Sequence, residues 1–254
     1  MTGTFTGRTV VIMPTYNERD NLDGVAARLR AAVPGADLLV VDDNSPDGTG
    51  EEAERIAATD SGVHVLHRAA KAGLGAAYIA GFHWALERDY DAVIEMDADG
   101  SHQPEELPRL LGALEEADLV IGSRYTRGGR TENWAKSREM LSRGANTYAR
   151  LMLGIGVRDA TGGFRAYRAT TLRKIDLDGV ESQGYCFQID LALRASRAGL
   201  TVAEVPITFV ERTAGTSKMN KAIVREALLR VTAWGIERRL GWPRGRRSGG
   251  GPEG

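Results

Sequence analysis

Two carboxylates, Asp97 and Asp99, stand one residue apart in DAVIEMDADGSHQP, residues 91 to 104, directly after an apolar run. Spaced i and i+2 at a strand end, their side chains project to one side if the extended backbone continues. Two like charges held that close need a cation. Carboxylate oxygens with few other ligands suit Mg²⁺ or Mn²⁺, which completes its shell with water and phosphate oxygens. The same residues also read as turn or capping aspartates ahead of QPEEL. Asp42, Asp43 and Asp47 in VVDDNSPDGT can hydrogen-bond the edge of a base or a ribose, or simply form a turn. Arg138, Ser142 and Asn146 recur at i, i+4 and therefore share one helix face. The four histidines, His64, His67, His83 and His102, form no catalytic cluster, and His64 alternates with apolar neighbours as a structural residue would.

These residues need elements to position them. The runs RTVVIMP (8 to 14), DLLVVDD (37 to 43), VHVLH (63 to 67), DAVIEMD (91 to 97) and DLVIGS (118 to 123) read as strands, with helical patterns between them. The second helix opens with a capping box, Thr49 with Glu52, after the turn signal SPDG. Continuous apolar strands separated by single helices predict an α/β fold, its parallel sheet covered by helices on both faces. Such sheets bind ligands at the carboxyl ends of their strands. That places PTYNE (14 to 18), DDNSPDG (42 to 48) and DADGSH (97 to 102) along one crevice.

The 254 residues suit one large domain, and a net charge of -1 excludes a uniformly basic nucleic-acid binder. The charge is uneven, however. Seven Lys or Arg face two Glu between Arg124 and Arg150, and five Arg face one Glu from Glu237 to Arg247, so both regions invite anionic partners. A single cysteine, Cys186, excludes an internal disulfide, and MTGTFTGRTVVIMP lacks the features of a signal peptide, so a cytoplasmic location is expected. No run is long and apolar enough to span a bilayer.

Taken together, VIMPTYNERDNL, VVDDNSPDGT, HRAAKAGLGAAYIAGF, MDADGSHQPEELP and VIGSRY resemble the family-2 glycosyltransferases of the GT-A fold. SRGAN (142 to 146), DATGGFRAYR (159 to 168) and FVERTAGTSKM (209 to 219) resemble its dolichyl- or polyprenyl-phosphate mannosyltransferase branch. The resemblance runs in order from about residue 8 to 220 and implies a Rossmann-like catalytic domain over residues 1–220. It implies a metal, Mg²⁺ or Mn²⁺, on Asp97 and Asp99, with Ala98 between them at the donor and Ser101 standing where some relatives have a metal-reaching Gln. Pro14, Tyr16 and Glu18 match the nucleotide-binding loop, and Val41 with Asp43 the residues flanking base and ribose. Arg212 and Lys218 match cations of a mobile loop closing on the phosphates, where they would stabilise the leaving group beside the catalytic aspartates. Arg124, Arg138 and Ser142 match residues that grip the acceptor phosphate, a task suited to forked guanidinium donors. Arg124 is placed at the donor as well. Asp190 matches a position usually Glu, where orienting a phosphate-binding Arg is the expected role. The implied reaction moves mannose from GDP-mannose to a polyprenyl or dolichyl monophosphate, inverting the anomeric centre, with UDP-glucose as the alternative donor.

A lipid acceptor requires contact with a membrane surface, peripheral and on the cytoplasmic face. In the helix expected over residues 221–242, Ile223, Ala227, Val231 and Trp234 form an apolar stripe, and Arg225, Arg230, Arg238 and Arg239 supply cations. The stripe serves a bilayer or the protein's own core. Residues 243–254, rich in Gly, Arg and Pro, read as disordered. Relatives of this type often carry transmembrane helices after this point, so either the tail suffices or a membrane-anchoring protein partner holds the enzyme. A nonenzymatic nucleotide-sugar module has no use for the acceptor residues, and a dinucleotide-dependent dehydrogenase fails where GLGAAY places Tyr78 at the last glycine.

Overall fold

The computed structural model describes residues 5–180, 182, 184–211 and 221–240. In chain order the elements are β1 (Thr9–Thr15), α1 (Arg19–Ala32), β2 (Ala36–Asp42), α2 (Thr49–Ala57), β3 (Val63–His67), α3 (Leu74–Leu86), β4 (Ala92–Glu95), α4 (Leu107–Leu114), β5 (Leu119–Ser123), β6 (Arg130–Glu132), α5 (Lys136–Leu153), β7 (Arg165–Arg168), α6 (Ala169–Lys174), α7 (Tyr185–Arg197), β8 (Val202–Pro206), β9 (Thr208–Val210) and α8 (Lys221–Arg239). A seven-stranded sheet runs β3-β2-β1-β4-β7-β5-β8, and β6 pairs with β9 in a second, parallel ribbon.

The expected mostly parallel sheet is present, and its five foreseen strands lie within a residue or two of their runs. One strand departs from the pattern. β7 inserts antiparallel between β4 and β5, setting Arg165 opposite Glu95 and Ile121. Its residues, Arg-Ala-Tyr-Arg, lack the apolar run that marks the others, because Arg165 is itself buried and satisfied by backbone carbonyls.

Both faces of the sheet are buried, which accounts for the unbroken apolar strands. Val10 and Ile12 face a layer containing residues of α3, α5, α7 and α8, while Val11 and Met13 face one containing residues of α1 and α4. α3 lies close enough to β1 that a Cβ on Gly81 would stand 2.6 Å from Cγ2 of Ile12, so only glycine fits. Its buried residues Gly75, Tyr78, Phe82 and Ala85 repeat at helical spacing, which turns Tyr78 toward the carboxyl end of β4.

One local expectation is corrected, and one open alternative is decided. Thr49 and Glu52 make no capping box: Gly48 is the cap residue, Asp47 Oδ1 accepts from the Thr49 amide at 3.0 Å, and Glu52 instead binds Arg55. The Thr49 hydroxyl is already committed to Asp47 at 2.6 Å, while it accepts from the amide of Glu18. The apolar stripe of α8 serves the core, since Val231 and Trp234 are buried with Ala227 packed beside them, against α5 and α7. Leu228, Leu229 and Ile236 of the same helix, and Leu240 next to its end, are exposed. The side chain of Ile223 and residues 241–254, including the tail, lie outside the described residues.

Candidate active site

The carboxyl ends of β1, β2, β4 and β5 open into one cavity of about 830 Å³. At one end stand Pro14, Tyr16, Glu18, Asp43 and Lys71. Asp97, Ala98, Asp99 and Ser101 occupy the middle, and Arg124, Trp134, Arg138, Ser142 and Glu211 line a second polar region. Leu74, Met140, Leu141, Leu228 and Val231 add apolar lining.

The carboxylate pair is built by β4 and the turn after it. Tyr78 donates its hydroxyl to Asp97 Oδ1 at 3.0 Å. Burial and the negative charge of Asp97 push the Tyr78 phenol well above its ordinary range, so it stays a donor. The Asp97 amide donates to Nδ1 of His102 at 3.0 Å, which selects the tautomer with its proton on Nε2. His102 is buried, with Phe164 stacked at 5.2 Å and the edge of Phe209 at 5.5 Å. Gly100 takes φ +74°, and the Ser101 amide returns to Asp99 Oδ1 at 3.1 Å. Asp99 is thus aimed by its own turn.

This donor set fits a hard divalent cation. Two carboxylates face the cavity, and the buried Ser101 Oγ has no hydrogen-bond partner. Among the described residues no group of three His, Cys, Asp or Glu could hold a metal, so the remaining ligands would come from water and phosphate oxygens.

Behind the pair, Glu95 is fully buried and accepts from Gln188 Nε2 at 2.7 Å and from the Tyr167 hydroxyl at 3.2 Å. Burial pushes its carboxyl up to about 7, against the pull of Arg165 and these two donors. Arg165 in turn donates to the carbonyls of Gly162, Gln188 and Ala160 at 2.7 to 2.8 Å, tying the DATGG loop to α7.

In the second polar region Arg124 is buried, and its guanidinium binds Asp159 through Nε at 2.8 Å and Nη2 at 2.6 Å. Nη2 also reaches Thr161 Oγ1 at 2.8 Å. Burial pushes Asp159 up, but the Arg124 charge and hydrogen bonds outweigh it and hold the carboxyl below the usual range. Arg138 and Ser142 share the predicted face of α5. Tyr125 donates its hydroxyl to Ser142 Oγ at 2.6 Å, leaving the serine proton available to another acceptor. Asn146 continues the stripe and is buried, donating to Thr161 Oγ1 at 3.0 Å. The Arg138 guanidinium lies 4.2 Å from the centre of the Trp134 ring and donates to both carboxylate oxygens of Glu211. Two N–H donors there, Arg138 Nε and Trp134 Nε1, are buried without a partner.

Of the sequence-derived site residues, Pro14, Tyr16, Glu18, Asp43, Asp97, Ala98, Asp99, Ser101, Arg124, Arg138 and Ser142 line this cavity. Val41 does not: strand alternation turns it into the core beside Ile12 and Tyr78, with no exposed surface. Asp43 lines the wall while engaged by Arg68 and the Ala72 amide; Asp42 is spent on Thr15 and Ser45 as a turn residue, and Asp47 on Thr49 and Arg19. Asp190 holds Arg194 at 3.0 Å, and Arg194 grips the carbonyls of Asp176 and Gly179, so that arginine braces a loop rather than a phosphate. Arg212 and Lys218 lie outside the described residues.

The sequence reading missed Tyr78, His102, Trp134, Gln188 and Glu211. Tyr78 carried the one available signal, an aromatic in a glycine-rich helix start. His64, His67 and His83 sit apart at the surface beside Asp37, Glu54 and Asp178, and His102 is the single histidine near the pair.

Comparison with known proteins places the chain in a family. The chain is 59% identical over 232 residues to "Undecaprenyl-phosphate mannosyltransferase" of Micrococcus luteus, covering 91% of this chain and 96% of that protein. It is 57% identical over 242 residues to "Polyprenol monophosphomannose synthase" of Mycolicibacterium smegmatis, covering 94% and 91%. The fold resembles glucosyl-3-phosphoglycerate synthase from Mycobacterium tuberculosis in complex with phosphoglyceric acid, with a TM-score of 0.67 at 22% identity over 94% of this chain and 81% of that one. It also resembles mannosyl-3-phosphoglycerate synthase from Rubrobacter xylanophilus, with a TM-score of 0.65 at 20% identity over 97% and 79%. With the family profile "Glycosyl transferase family 2" matching residues 10–176, the strand-end cavity and its aspartate pair have their explanation: the chain belongs to glycosyl transferase family 2.

Proposed function

We propose that this enzyme transfers mannose from GDP-mannose to a polyprenyl or dolichyl-type monophosphate, giving polyprenyl-phosphate mannose with inversion at the anomeric carbon. One observation carries the reading. A single cavity joins the Asp97 and Asp99 pair to two unpartnered buried donors, Arg138 Nε and Trp134 Nε1, and to apolar lining. A nucleotide sugar alone needs no second anion site, whereas a phosphate with an apolar chain fits it. The names of the two relatives above 50% identity support the same acceptor and sugar.

Asp97 and Asp99, with Ser101 Oγ beside them, would hold Mg²⁺ or Mn²⁺, which when bound supplies Lewis-acid stabilisation of the departing diphosphate. Tyr16 under Lys71, whose Nζ lies 3.7 Å from the ring centre, and Asp43 form the nucleotide end. Arg138, Trp134 and Ser142 receive the acceptor phosphate, with Arg124 fixing the wall behind them. A phosphate monoester titrates near pH 6 and is mostly a dianion at neutral pH, so its oxygen attacks without a general base. That requirement agrees with His102 being committed to the backbone of Asp97. Arg212 directly follows Glu211 in the chain and Lys218 stands six residues beyond Arg212, and their role at the leaving group rests on the sequence motif.

Glu211 occupies the guanidinium that the acceptor phosphate would use. Glu211→Gln is expected to lower the acceptor KM about threefold to tenfold with a smaller change in kcat, because a like charge leaves the anion site. Steady-state kinetics with a short-chain polyprenyl phosphate checks this, and a raised KM would contradict it.

Exposed apolar and basic side chains support peripheral membrane binding. Met140, Leu141 and Leu151 of α5 and Leu229, Ile236 and Leu240 of α8 are exposed, with Arg225, Arg238 and Arg239 exposed on α8. Among the described residues no helix is long and apolar enough to cross a membrane. Flotation with anionic liposomes should show weak binding that salt disrupts. No binding at any salt would leave attachment to a membrane-anchoring partner. Donor choice is tested by competing labelled GDP-mannose against UDP-glucose. The proposal requires mannolipid to dominate, and glucolipid as the main product would overturn the donor assignment.

A further inference from the structure

The polar groups around the Asp97 carboxylate include one that metal binding and acceptor binding leave unused. Gln188 on α7 is 3% exposed and lines the cavity. Its amide nitrogen donates to Glu95 Oε2 at 2.7 Å, and its carbonyl oxygen, Oε1, is buried without a hydrogen-bond partner. With Glu95 ionised, the reversed amide would set Oε1 against a carboxylate oxygen, acceptor against acceptor, so the carboxylate form of Glu95 dictates which edge of the amide remains available.

The space beside this amide is defined by Gly163. A Cβ added there would lie 3.5 Å from His102 Cε1, 3.9 Å from Asp97 Oδ2 and 3.9 Å from Gln188 Nε2. All three are ordinary contact distances, so the bare backbone leaves room of about one methyl group, with the Asp97 carboxylate and the Nε2 edge of Gln188 beside it. Gln188, Gly163 and Asp97 line the same cavity.

From this juxtaposition we infer that Gln188 is a specificity-determining residue, whose Oε1 accepts a hydrogen bond from one hydroxyl of the sugar being transferred. The inference rests on the reading of Asp97 and Asp99 as the diphosphate end of the donor. An amide oxygen can only accept, and a diphosphate at neutral pH offers no proton, which leaves the hydroxyl-bearing parts of the donor. The nucleoside lies toward Tyr16 and Asp43, at the other end of the cavity. The transferred sugar is the hydroxyl-bearing group next to the diphosphate. Glu95 and Tyr167 act as positioning residues behind Gln188, since the tyrosine hydroxyl holds the carboxylate that holds the amide. A sugar lacking the matching hydroxyl, or carrying it in the wrong configuration, would leave Oε1 buried and unpaired. Sites built to read a hydroxyl reject such analogues far more strongly than apolar pockets reject a misfit methylene.

The test uses the full-length enzyme with GDP-mannose and its 2-, 3-, 4- and 6-deoxy sugar analogues. The wild type should discriminate against one analogue by about a hundredfold or more in kcat/KM. Gln188→Leu should reduce that one ratio to within about threefold and leave the other three ratios unchanged, a pattern that a purely structural role for Gln188 would not produce. If leucine prevents folding, Gln188→Met keeps the side-chain length and is read in the same way. Equal discrimination in wild type and variant would overturn the inference, as would a wild type indifferent to all four deletions. No product from any mannosyl donor would instead overturn the reading of the site on which the inference rests.

Discussion

Asp97→Asn and Asp99→Asn are each expected to lower kcat by about a thousandfold or more while the fold survives, because both remove a charge that the leaving diphosphate's cation requires. Asparagine is the informative replacement at 97. Its carbonyl oxygen can still accept from the Tyr78 hydroxyl, which now reaches Asp97 at 3.0 Å. Alanine would leave that buried hydroxyl without its acceptor, at about 1 to 3 kcal/mol, and would confuse loss of chemistry with loss of stability. At 99 the Ser101 amide keeps an acceptor in asparagine for the same reason. Steady-state transfer beside a thermal melt separates the two effects. An unchanged melt with activity lost is the expected pair, and near-full activity in both variants would refute the metal-site assignment.

Asp159→Ala carries the largest expected cost in stability. Asp159 is fully buried and accepts from the Arg124 amide at 2.9 Å as well as from its guanidinium. Removing it takes the carboxylate partner from a guanidinium that is itself 6% exposed, which costs about 3 to 5 kcal/mol for a buried pair. The effect has a definite pH dependence. Folding lowers the Asp159 pKa, so the ionised carboxylate stabilises the native state above the ordinary carboxylate range, and that contribution drains away as pH falls through the lowered folded value. The gap between wild type and Asp159→Ala should therefore be widest near neutral pH and narrow in acid. Urea melts at both pH values check this, and a gap that widens in acid would contradict the assignment.

Much of this architecture is legible in the chain because its cause is local. Strands such as DLLVVDD are buried on both faces and are therefore apolar without interruption, and the carboxyl-end rule then collects PTYNE, DDNSPDG and DADGSH into one place. The i, i+4 stripe of Arg138, Ser142 and Asn146 is likewise a property of one helix. What escapes is what depends on distant partners. β7 hides because Arg165 looks like a surface residue until Gly162, Gln188 and Ala160 supply carbonyls to it. Tyr78 and His102 approach Asp97 only after α3 and the turn following β4 are folded against each other. The Thr49 capping box fails for a local reason instead, since Asp47, two residues away, takes both the amide and the hydroxyl of Thr49. Val41 matches the nucleotide region by motif, while the alternation of its own strand turns its side chain into the core.

The central claim is tested most directly by incubating the purified enzyme with labelled GDP-mannose and a short-chain polyprenyl phosphate, with Mg²⁺ or Mn²⁺ and separately with EDTA. A mannolipid formed only in the presence of metal is the predicted result. The absence of any lipid product, or the same yield in EDTA, would contradict the account.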